Sequence, residues 1–120
     1  MKKLSRREEE IMHIFWKLDR AFIKEVLHEF KDSKLHYNTI ATLIKILEEK
    51  KFLGHETVGN TFRYFPLISR EEYKDHAMKD FVKNYFDDSY SSMLLYFAKE
   101  EKLSQQELNE VIKTIKSKQK

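Results

Sequence analysis

Between residues 37 and 51 the sequence sets groups able to hydrogen-bond a base edge beside a stripe of aliphatic side chains. Asn38, Ala41, Thr42, Lys45 and Glu49 recur at helical spacing, with Thr39 at their flank and Tyr37 at the start, while Ile40, Leu43, Ile44 and Leu47 form the opposite stripe. A helix here buries the second set and presents the first. Asparagine can bond an adenine edge through two hydrogen bonds. Threonine offers a methyl to thymine or a hydroxyl to phosphate, and lysine neutralises a phosphate. The chemistry these groups could perform is recognition of double-stranded DNA, and the same residues equally make an ordinary solvated helix face. Glu48 and Glu49 would repel phosphates, so contact is expected in the first two turns, led by Asn38, Thr39 and Thr42. Arg63, in a later segment, completes the candidate set as a phosphate contact.

Other chemistries find little support. The chain has no cysteine, which removes disulfides, thiolate metal sites and cysteine nucleophiles together. His13, His28, His36, His55 and His76 are scattered, and no two have the spacing of a zinc-binding helix. With two glycines in all, a phosphate-cradling loop or nucleophile elbow has little room. No enzymatic activity, metal or cofactor is expected.

The elements that must position the candidate residues follow from periodicity and punctuation. Both glycines and the single proline fall between residues 54 and 66, the one region of strong turn chemistry. Ser5 with Glu8, Ser69 with Glu72, and Ser104 with Glu107 each read as a capping box and fix three helix starts. A first helix over 5–18 buries Ile11, Ile14, Phe15 and Leu18. A second over 23–30 buries Ile23, Val26, Leu27 and Phe30. A polar turn over Lys31–His36 then leads into the helix that carries Asn38. After it the pattern alternates. Residues 53–57 and 62–67 flank Val58-Gly59-Asn60-Thr61, where Gly59 and Asn60 suit the positive φ of a tight hairpin. Phe62 and Tyr64 should pack inward and Arg63 point outward.

Three helices and a two-stranded wing make a winged helix-turn-helix domain, whose third helix enters the major groove. The expected fold is mainly α with a small antiparallel β wing, the domain spanning 1–68 and a helical dimerisation region spanning 69–120. The tail reads as helices over 69–86, 89–100 and 104–118, rich in large apolar residues. Three such helices cannot cover that surface alone, and a second copy is the simplest cover. Phe81, Tyr85, Leu94, Phe97 and Ile112 are the candidate dimer contacts.

The chain of 120 residues is 41% hydrophobic and 36% charged, as expected of one ordinary globular fold. Residues 1–68 hold 13 Lys/Arg against 10 Asp/Glu and residues 69–120 hold 10 of each, so the excess of +3 lies where DNA contact is expected. The basic start Met1-Lys2-Lys3 never becomes the apolar run of a secretory signal, and no segment approaches a membrane span. A cytoplasmic location with no membrane partner is expected.

The stretch from Leu4-Ser5 to Trp16, then Tyr37-Asn38-Thr39-Ile40-Ala41-Thr42-Leu43-Ile44, Lys50-Lys51-Phe52-Leu53 with His55, and Phe62-Arg63-Tyr64-Phe65-Pro66-Leu67, together with a tail from Ser91 to Glu107, strongly resembles the penicillinase-repressor family of winged-helix transcriptional repressors. The resemblance implies a homodimer on a palindromic operator, with intertwined C-terminal helices. Thr39 and Thr42 match the family's operator-contacting threonines. Asn38 stands where lysine is common, Ala41 where arginine or glutamine is, Ile46 where arginine is frequent, and Glu56 and Thr57 replace wing lysines. The resemblance also implies a regulatory protease that cuts an Asn–Phe bond, matched here by Tyr96–Phe97, where Phe97 fits and Tyr96 does not. The cysteine-rich terminus of copper-responsive members is absent. A rival reading is a winged-helix protein–protein adaptor without specific DNA binding, which the glutamates of the third helix and wing allow.

Overall fold

A computed structural model of the chain describes residues 1–30 and 35–118. The start of the turn expected over Lys31–His36 lies outside the described residues. The elements run α1 (Arg6–Leu18), β1 (Ala21–Phe22), α2 (Ile23–Glu29), α3 (Tyr37–Glu49), β2 (Leu53–Val58), β3 (Thr61–Pro66), α4 (Arg70–Phe86), α5 (Tyr90–Lys99) and α6 (Gln105–Lys118). They fall into two compact units, residues 1–76 and residues 77–120.

In the first unit, α1 starts where its capping box puts it. The Ser5 hydroxyl accepts from the Glu8 amide at 3.2 Å, and the Glu8 carboxylate accepts from the Ser5 amide at 2.7 Å. Ile11, Met12 and Phe15 from α1, Val26 from α2, and Ile40, Ile44 and Leu47 from α3 are fully buried together. Burying each such side chain contributes about 1.5–3 kcal/mol, so this cluster fixes which face of α3 looks inward. Leu43, expected in the buried stripe, sits at the margin of the core, whereas Phe52 beyond the helix is wholly inside.

The α3 helix ends in a Schellman turn. The Phe52 amide donates to the Leu47 carbonyl at 2.9 Å and the Lys51 amide to Glu48 at 3.0 Å, with Lys51 left-handed at φ 68°. That turn delivers the chain into β2.

The wing has one strand more than expected. β2 and β3 pair antiparallel, and the two-residue β1 adds to the other side of β3, giving the order β1-β3-β2. The hairpin is also tighter than expected. Both strands reach the two-residue turn, where Gly59 alone adopts positive φ (61°) and Asn60 does not. A glycine at the first central position is the requirement of a type II′ turn.

The first turns of α4 brace this unit. Ser69 and Glu72 form their capping box. The Trp16 indole N–H donates to the Ile68 carbonyl at 2.9 Å, and the Tyr73 hydroxyl donates to Glu9 at 2.5 Å. Tyr73 also meets the Trp16 and Phe52 rings. Its side chain serves the first unit, although periodicity groups it with the tail.

In the second unit, Ser89 caps α5 through the Ser92 amide, and Ser104 and Glu107 box the start of α6. The Phe81 ring meets those of Tyr85 and Phe86, and Tyr96 joins Phe86 to Phe97. Val82 is the one wholly buried apolar residue among the described residues of this unit.

Candidate nucleic-acid interface

The α3 helix holds its candidate residues by its opposite face. With Ile40, Ile44 and Leu47 locked in the core, Tyr37, Asn38, Thr39, Thr42 and Lys45 are all exposed and Ala41 is half-buried. The first turn carries no acidic residue, and the cap residue His36 makes no side-chain cap bond. The Thr42 hydroxyl donates to the Asn38 carbonyl at 2.9 Å. Its proton is thus committed within the helix, which leaves its oxygen lone pairs and its methyl group to face a partner. A threonine so disposed suits an exocyclic amine or a thymine methyl better than a phosphate oxygen. The Glu48 carboxylate, which would oppose phosphates, is in close contact with His55 Nδ1 on β2.

The wing departs from expectation in its charges. Glu56 Oε1 accepts a hydrogen bond from Arg63 Nε at 2.7 Å and forms ion pairs with a terminal Arg63 nitrogen at 2.6 Å and with Arg20 at 3.1 Å. Arg63 therefore does not project as a free cation. The Arg63 hydrogen bond, together with the charges of both arginines, outweighs desolvation and holds the Glu56 carboxyl below the usual range. Phe62 likewise does not follow Tyr64 inside. Tyr64 is buried, but Phe62 is 46% exposed and meets the His55 ring with centroids 4.5 Å apart.

Sequence reasoning missed Arg20. Its position beside Arg63 depends on the pairing of β1 with β3, and a two-residue strand leaves no alternation to read.

The candidate dimer residues Phe81, Tyr85, Leu94 and Ile112 are exposed and Phe97 is half-buried. Tyr96 and Phe97 both lie within α5. Among the described residues no group of His, Asp or Glu could hold a metal ion, and no helix is long and apolar enough to cross a membrane.

Three helices on one core, the last presenting a polar face beside a hairpin wing, define a winged helix-turn-helix protein. In keeping with that, the chain is similar to the solution structure of the DNA binding domain of the repressor BlaI, with a TM-score of 0.53 and 35% identity over 61% of this chain and 94% of that one. The penicillinase repressor family model matches residues 4–117, and the chain belongs to that family. Its relatives include a penicillinase repressor of Bacillus licheniformis, 31% identical over 110 residues that cover 91% of this chain and 86% of the relative. The methicillin resistance regulatory protein MecI of Staphylococcus aureus strain N315 is 29% identical over 110 residues, covering 91% and 89%.

Proposed function

We propose that the protein is a sequence-specific DNA-binding transcriptional repressor that occupies a palindromic operator as a homodimer. The observation that carries this reading is the single polar face of α3. Asn38, Thr39 and Thr42 are exposed while Ile40, Ile44 and Leu47 pin the helix from behind. The family and the DNA-binding domain it resembles support the same reading. In this arrangement residues 1–68 contact DNA. The helices from residue 69 onward pair with a second copy, and the first turns of α4 also brace the winged helix.

The tail favours pairing because its apolar side chains are left uncovered. Tyr85 is 73% exposed, and Leu95 and Ile112 are at least half exposed. Apolar surface of that extent is characteristic of an interaction face. Relief of repression through cleavage at Tyr96–Phe97 requires α5 to open, because a protease needs an extended strand and this bond lies inside a helix.

The self-neutralised wing, with Arg63 and Arg20 both on Glu56, instead favours the protein–protein adaptor reading. One binding titration separates the two. A duplex enriched by this protein from a random library should bind more tightly than a scrambled duplex, and Asn38→Ala with Thr42→Ala should abolish the difference. Equal affinity of the unaltered protein for both duplexes would remove the repressor reading.

A further inference from the structure

We infer that Arg20 and Arg63 together form a seat for a DNA backbone phosphate, which Glu56 fills in the free protein and the phosphate displaces on binding. The inference rests on the DNA-binding reading above and adds to it a contact residue outside α3 and the hairpin, with a carboxylate that competes for the site.

The geometry starts from strand register. Phe22 and Glu56 both pair with Arg63, so the three side chains form one row across the sheet. The adjacent row, Ala21, Tyr64 and His55, faces the other way and carries the buried Tyr64. Arg20 reaches the outer row from the residue before β1, and its guanidinium meets the same Glu56 oxygen that Arg63 holds. Aromatic rings position both cations, Arg20 lying 5.0 Å over Phe65 and Arg63 5.9 Å over Phe22. Two guanidiniums converging on one oxygen make a donor site for a carboxylate or for a phosphate oxygen alike.

Two observations favour exchange over a permanent structural bridge. The side chains of Arg20, Glu56 and Arg63 are 47%, 37% and 39% exposed, so water and ligands reach the cluster. Ion pairs of that exposure contribute little to folding, whereas a bound phosphate gains the release of condensed counterions. The outer row also borders the reading helix. A cavity of about 310 Å³ is lined by Phe22, Ile23, Lys24 and Glu25 together with Tyr37 and Thr61. A DNA strand passing the start of α3 thus runs beside Phe22 and its neighbour Arg63, with Lys24 at the cavity wall and the Glu25 carboxylate held on the Phe22 amide.

The test measures duplex affinity by fluorescence anisotropy across a salt series, on both the enriched and the scrambled duplex. Glu56→Gln should tighten binding about three- to fivefold, the release of an exposed ion pair. Removing both arginines by Arg20→Ala with Arg63→Ala should lower the salt slope by about one unit. In that double variant Glu56→Gln should give no further gain. An equal gain with and without the arginines would reduce Glu56 to a contribution of net charge and overturn the proposal, as would an unchanged slope. Arg20→Lys with Arg63→Lys keeps the charge and loses the fork, and covers the case in which the alanine variants fold poorly. Inorganic phosphate at constant ionic strength should leave the arginine Nε–H resonances in place while the duplex shifts them. A shift with phosphate alone would make this a free-anion site and overturn the assignment to DNA. Equal binding of both duplexes would defeat sequence-specific repression, yet the coupling of Glu56 to the arginines is still read on the scrambled duplex.

Discussion

The Lys50 ammonium, at the end of α3, lies 2.8 Å from the carboxylate of Glu8 in the first turn of α1. Glu8 is buried, and it simultaneously closes the capping box on Ser5. One carboxylate thus ties the start of α1 to the end of the helix that carries Asn38. Replacement by glutamine leaves Lys50 facing a neutral partner in a poorly solvated place.

Acid sensitivity is the first expected outcome. Burial alone would raise the Glu8 pKa, but the Lys50 hydrogen bond and charge, with the Ser5 bonds, bring it below its ordinary 4.5. A depressed folded value means that Glu8 stabilises the fold fully above 4.5 and loses that contribution as pH falls through the lower folded value. Urea unfolding should show Glu8→Gln destabilised by about 2 kcal/mol at neutral pH. The difference from the unaltered protein should shrink in acid, and a gap that stays constant into strong acid would contradict this role.

The Thr42 bond to Asn38 makes a sharper statement about reading. If the threonine methyl meets a thymine, Thr42→Val should retain most of the operator affinity, since it keeps the methyl and loses only the hydroxyl. Asn38→Ala and Thr42→Ala should each weaken specific binding by about 1–3 kcal/mol. Thermal unfolding of all three should shift little, because the side chains are exposed. A valine variant as weak as the alanine one would transfer the contact to the threonine oxygen.

Lys45 lies one turn beyond Ala41 on the exposed face. As a phosphate contact it carries no sequence preference, so Lys45→Ala should weaken binding to every duplex by a similar factor. The slope of affinity against salt should fall by about one unit at most. A variant whose slope matches the unaltered protein removes Lys45 from the contact set.

What was legible in the sequence was what local chemistry decides. Each Ser–Glu pair at three-residue spacing became a capping box with both hydrogen bonds formed, because such a box depends on nothing beyond one helical turn. The exposed face of α3 was legible for the same reason, as its period is set by the helix itself. Helix ends were less so. Lys51 and Glu101 take the left-handed position that glycine usually marks, so composition gave no stop signal. The Arg20–Glu56–Arg63 cluster was out of reach, since it exists only once β1 has paired with β3. Tyr73 shows the same limit in another form. Its spacing matches Ala77 and Phe81, but the ring packs on Trp16 and Phe52, a choice made by tertiary contact.

The tail supplies the last prediction. Val82 is its one fully buried apolar residue among those described, while Tyr85, Leu95 and Ile112 stand largely in solvent. If a second copy covers them, Tyr85→Asp or Ile112→Asp should leave the single chain folded, because neither side chain is inside it. Either change should nevertheless split the dimer, placing a carboxylate in an apolar contact at a cost of about 2 kcal/mol or more. Sedimentation at micromolar concentration should show the unaltered protein as a dimer and the variants shifted toward monomer. Their hold on a two-half-site duplex should drop to that of isolated winged helices, since the gain from binding both half-sites together is lost. An unaltered protein that sediments as a monomer would mean that these side chains serve some other partner, and the palindrome would go with the dimer.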